Sequence, residues 1–125
     1  MKLGVMQGRL SPPVNGHIQE FPEDWELEFS YVNELGLAGV EWLITERCFI
    51  DNPLLKSSLL IKYKQHPIIS VCLDNLVSDK ISDFEFLYST FSSCRMSGAK
   101  NFTIPLLEDS SMENDSRRKQ FIKHM

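Results

Sequence analysis

The sequence predicts an α/β protein built on a parallel sheet, and three observations carry that prediction. Short, nearly continuous apolar runs recur at "LGVM" (3–6), "GVEWLI" (39–44), "IISVCL" (68–73) and "FTIPLL" (102–107). Each is followed by a polar or Gly/Pro-containing loop and then by residues at helical spacing, a unit of roughly 30 to 35 residues, the size of a strand with its crossover helix. Runs without polar alternation suit parallel strands buried on both faces, because a crossover helix returns the chain to start a parallel neighbour. The order is βαβαβαβα. It is shared by an open doubly wound sheet and by part of a (β/α)8 barrel, and both hold ligands at the carboxyl ends of their strands.

The first helix is read from Trp25, Phe29, Val32 and Leu35, which share one face, with Pro22, Glu23, Asp24 and Glu26 suited to its first turn and Gly36 to its stop. A second helix is expected to open on Asn52 as cap and Pro53 as first residue, to run through Leu55, Leu59 and Tyr63, and to end before Pro67, which disfavours helix at His66. "SDFE" (82–85) reads as a capping box in which Ser82 and Glu85 satisfy each other's backbone amides. Phe84, Leu87, Phe91 and Cys94 then line one helical face, and Gly98 closes it. A fourth helix begins near Asn114 or Asp115 and carries Phe121 and Ile122.

Composition narrows the function classes. The 125 residues are 42% hydrophobic and 24% charged, enough apolar material for the core of one domain spanning 1–125. Net charge is −4 with a pI of 5.3, and the one basic cluster, Arg117, Arg118 and Lys119, suits a solvated helix face, so a nucleic-acid partner is not expected. Cys48, Cys72 and Cys94 form no CxxC pair and fit a reducing cytoplasm. With no cleavable apolar leader and no run of 18 apolar residues, neither export nor a membrane partner is expected.

The strand ends carry the candidate site: Gln7 and Arg9 after the first run, Glu41 and Trp42 in the second, Asp74 and Asn75 after the third, Glu108 after the fourth. Gly8 permits close backbone approach, and the Arg9 guanidinium can fork onto an anionic oxygen. Glu41 interrupts an apolar run, where an unpaired buried carboxylate is costly, so it meets either a ligand or a structural cation such as Arg9. Trp42 suits core packing or a stacking platform; Asp74 suits a loop cap or a ligand contact. Histidines at metal-ligand spacing are absent, as are the glycine-rich phosphate loops of nucleotide folds and the nucleophile elbow.

"GVMQGRLSP", "IQEFPEDWELEFSYVNELGLAGVEWLI", "ISVCLDN" and "IPLLEDSS" together resemble the N-terminal half of sugar phosphate isomerases/epimerases of the xylose-isomerase-like barrel superfamily. The resemblance spans nearly the whole chain, and the "MQGRLSP" turn and "ELGLAGVEW" are its most specific pieces. It implies the first half, about four βα units, of a TIM barrel that normally needs about 250 residues. It further implies a divalent metal (Mn, Mg, Zn or Co) and isomerisation or epimerisation of a sugar or sugar phosphate, the metal polarising oxygens while carboxylates move a proton. The family's metal ligands come from later strands. On this reading Gln7, Arg9, Glu41, Trp42, Asp74, Asn75 and Glu108 face substrate, and the chain is expected to be an incomplete member that does not hold the metal tightly or turn over alone. The alternatives are a non-catalytic half-barrel that pairs with itself or with a complementary half, and an endonuclease IV-like phosphodiesterase, which the acidic charge disfavours.

Overall fold

The computed structural model describes residues 3–19, 21–45, 48–56, 66–74, 80, 83–107 and 111–124. Four strands, β1 (Val5–Met6), β2 (Val40–Ile44), β3 (Ile68–Leu73) and β4 (Asn101–Thr103), pair in that order, every pair parallel. The parallel α/β class expected from the apolar runs is therefore present. Each strand lies beside its sequence neighbour, and the order does not reverse as it does in a doubly wound sheet. Among the described residues, no helix is long and apolar enough to cross a membrane.

Helix α1 (Leu27–Glu34) packs Phe29 and Val32 onto β2. Leu35 is rotated off that stripe where the helix ends and is 62% exposed; Leu37, beyond the stop, packs against the core in its place. Trp42 is fully buried beneath the rings of Phe21, Trp25 and Phe29, and His66 stacks on Phe29 at 4.3 Å.

The expected second helix begins as foreseen and then departs. Asn52 caps it, its Oδ1 accepting from Leu54 N–H at 3.1 Å, but the described part is a single 3-10 turn, Pro53–Leu55, and Lys56 is already extended. Leu59 and Tyr63 lie outside the described residues. Asn52 does more than cap: it also accepts from Trp42 Nε1 and donates to the Leu43 carbonyl, both at 2.9 Å, tying the turn to β2. In α2 (Phe84–Met96) the cap is Asp83, whose carboxylate accepts from Phe86 N–H at 3.0 Å; Ser82 lies outside the described residues. Leu87, Thr90 and Cys94 form the buried face, whereas Phe84, one residue into the first turn, is 45% exposed against Tyr88. Strand β4 stops at Thr103 because Pro105 removes an amide donor and restrains Ile104. Helix α3 (Asp115–His124) starts on Asn114, whose Oδ1 accepts from the amides of Ser116 and Arg117.

At the amino end of the sheet the backbones of Gly4 and Gly39 make room for Ile69. A Cβ at Gly4 would lie 2.1 Å from Ile69 Cδ1, and one at Gly39 would lie 2.7 Å from Ile69 Cγ2 and 2.1 Å from the Pro67 carbonyl oxygen. Ile69 is the extra residue of the register irregularity in which Val40 faces Ile68 but Glu41 faces Ser70.

Candidate functional site

Alternation along the strands separates two faces. Val5, Val40, Trp42, Ile44, Val71, Leu73 and Phe102 belong to the core beneath the helices. Their neighbours point the other way and line up across the sheet. Met6 is the register partner of Glu41, Glu41 of Ser70, and Ser70 of Asn101, so a thioether, a carboxylate, a hydroxyl and an amide form one row across all four strands. The row above it, toward the carboxyl ends, is Leu43, Cys72 and Thr103.

Within the first row the Ser70 hydroxyl donates to Glu41 Oε1 at 3.1 Å, giving the half-buried carboxylate a partner without neutralising it. Arg9 makes no ion pair with Glu41 among the described residues. Its guanidinium is exposed, and Nη2 rests 3.6 Å from Met6 Sδ, which places the charge over the same face, one strand from Glu41. Asp74 follows β3 directly; its amide donates to the Ile44 carbonyl, and its side chain is half-buried.

Burial, with the neighbouring Glu41 and Asp74 carboxylates, pushes the Cys72 thiol from the ordinary 9.0 up to about 11. Cys94, buried in the helix-side core, is pushed to about 12 by desolvation. At pH 8 these two thiols are expected to resist iodoacetamide in the native protein, to react in urea, and to leave half-buried Cys48 as the group labelled first; mass spectrometry of timed aliquots reads the order. Both thiols keep protons that the unfolded chain releases. Their contribution to stability is therefore complete below about pH 9 and is lost as pH rises through about 11 to 12.

The turn after β1 has a structural purpose that the sequence did not disclose. The Gly8 amide donates to both Glu28 carboxylate oxygens at 2.9 and 2.8 Å, and Glu28 Oε1 also accepts from Leu10 N–H (3.2 Å), Ser11 N–H (3.1 Å) and Ser11 Oγ (3.0 Å). Glu28 is 1% exposed on α1, so the helix holds the turn from beneath. Gln7 is equally buried: its amide Oε1 accepts from Leu43 N–H at 2.9 Å, where the next carbonyl of β1 would have been had the strand continued.

Of the residues expected at the site, Glu41 and Asp74 line the face opposite the helices or its rim, and Arg9 hangs over it. Gln7 braces the strand end, Trp42 points into the core, and Asn75 and Glu108 lie outside the described residues. Ser70, Asn101, Cys72 and Thr103 were missed, since each is an ordinary strand residue until the register sets it beside Glu41. Among the described residues, no three His, Cys, Asp or Glu side chains converge as a metal site. Compared with family models, curated proteins and solved structures, the chain matches none.

Proposed function

We propose that the chain is the N-terminal half-barrel of a sugar phosphate isomerase/epimerase, and that the Met6–Glu41–Ser70–Asn101 row is its sugar-facing surface. The observation that carries this reading is the row itself. A parallel sheet of unreversed order that turns a hydrogen-bonded carboxylate, a hydroxyl and an amide away from its helices has the polar inner face that a sugar needs. The resemblance of the "MQGRLSP" and "ELGLAGVEW" passages supplies the substrate class. In this reading Glu41, oriented by Ser70, and Asp74 accept hydrogen bonds from sugar hydroxyls, and Arg9 takes the phosphate. The divalent metal that the resemblance implies would supply charge stabilisation at the reacting oxygens; the described residues do not make up its site.

Titrating isotope-labelled protein with ketose phosphates and the parent sugars should shift the amides of Glu41, Ser70 and Asn101. Glu41→Gln should weaken binding about tenfold, ~1.4 kcal/mol for one charge-assisted hydrogen bond. Shifts confined to other parts of the chain, or an unchanged affinity in Glu41→Gln, would end the assignment of the row to sugar.

A second reading is favoured by the sheet edges. Among the described residues, strands β1 and β4 each have one neighbour, and parallel edges left unpaired invite another strand. Pairing with a second copy or a complementary half-barrel would bring β4 beside a following β1 in the same sense. Sedimentation velocity across micromolar concentrations should show reversible association, and a single monomeric boundary throughout would remove this reading.

A further inference from the structure

We infer that Glu28 is a positioning residue for anion recognition, its carboxylate fixing where Arg9 stands over the sheet face. The inference rests on the reading that Arg9 meets an anionic sugar. Three successive features support it. The amides of Gly8, Leu10 and Ser11 converge on one point with the Ser11 hydroxyl, the concave arrangement of backbone donors that binds phosphates and carboxylates. That point is occupied from within, by a side chain anchored on α1 and sealed from water.

Arg9 is flanked on both sides by residues whose amides are bound to Glu28, while its own amide turns back to the Met6 carbonyl at 3.3 Å. The backbone is thus clamped around a pivot. The Arg9 side chain comes to rest on Met6 Sδ, in the row that holds Glu41. With its resident carboxylate in place, the turn offers an incoming anion the guanidinium and withholds its own amides. Glu28 therefore directs both the position and the chemistry of anion binding without touching the ligand.

The test uses the full chain, with inorganic phosphate and fructose 6-phosphate as probes. Glu28→Gln places an amide group against the Gly8 or Ser11 donors and should lower the affinity for both probes about tenfold, since small displacements of a binding group have large effects. Glu28→Asp, which keeps the charge, should recover part of that loss. Arg9→Ala should add little on top of Glu28→Gln, because both act through one contact. The ε-methyl resonance of Met6 should also move in Glu28→Gln without any ligand, reporting that the guanidinium has left it.

Wild-type affinity in Glu28→Gln, tighter binding there, or full additivity with Arg9→Ala would each overturn the inference. If the wild-type protein binds neither probe, the sugar phosphate reading fails, and the Met6 signal still decides the positioning role: an unmoved methyl refutes it. Should Glu28→Gln not fold, Ser11→Ala removes one donor from the same carboxylate and is read by the same methyl shift.

Discussion

Glu28→Ala is expected to lower the stability of the fold by roughly 3–5 kcal/mol, since each buried donor left without its acceptor costs about 1–3 kcal/mol and several lose it together. Burying a carboxylate is costly in itself, and here it is offset by four donors, three of them backbone amides that have no other acceptor in the turn. Alanine leaves those donors facing a space that the carboxylate used to fill. A domain of this size has about 5–15 kcal/mol in all, so the loss is a large share of it. Urea denaturation should show a much lower midpoint for Glu28→Ala, while Glu23→Ala, at an exposed position in the same segment, should change stability by less than about 0.5 kcal/mol. Equal midpoints for the two variants would mean that water replaces the carboxylate at little cost.

Gly39→Ala should be nearly as damaging, for steric reasons. Gly39 has φ of +154°, which L side chains rarely adopt, and a Cβ there meets the Pro67 carbonyl oxygen at 2.1 Å. That oxygen cannot retreat freely, since it accepts from Val40 N–H at 2.8 Å and so closes the first contact between β2 and the segment leading into β3. Relief requires moving one strand away from the other, and roughly 3 kcal/mol is a reasonable lower figure for overpacking combined with a disfavoured backbone. Hydrogen exchange should reveal the site of damage: the amides of Val40 and Ile68 should lose protection while those of α2 keep theirs. Uniform loss of protection would show instead that the sheet and α2 unfold as one unit.

These two positions mark where the sequence was legible and where it was not. The strands were, because four apolar runs at regular spacing have few other uses, and Glu41 announced itself as a carboxylate inside one of them. Trp42 in the same run was ambiguous, since a tryptophan serves core and ligand equally well until its neighbours are known. Glu28 was hidden. An acidic residue in the first turn of an amphipathic helix looks solvated, and only the return of the β1 turn onto α1 makes it an acceptor for residues 17 to 20 positions away. Phe84 was misjudged for a related reason: it stands at helical spacing from Leu87 and Phe91, yet it lies at the very start of α2 and is 45% exposed beside Tyr88.

The amide of Gln7 has a consequence for how the sheet is assembled correctly. Strand β1 has only two residues, too few for its own ladder to choose among neighbouring alignments. A slip by one position would turn Met6 toward the helices and Val5 toward the opposite face. It would also bring Met6 or Gly8 opposite the Leu43 amide, and neither side chain carries a carbonyl. The side-chain bond from Gln7 therefore acts as a proofreading contact, formed in one alignment and lost in the adjacent ones. The shortest strand of the sheet thereby gains a unique place that its length alone would not secure.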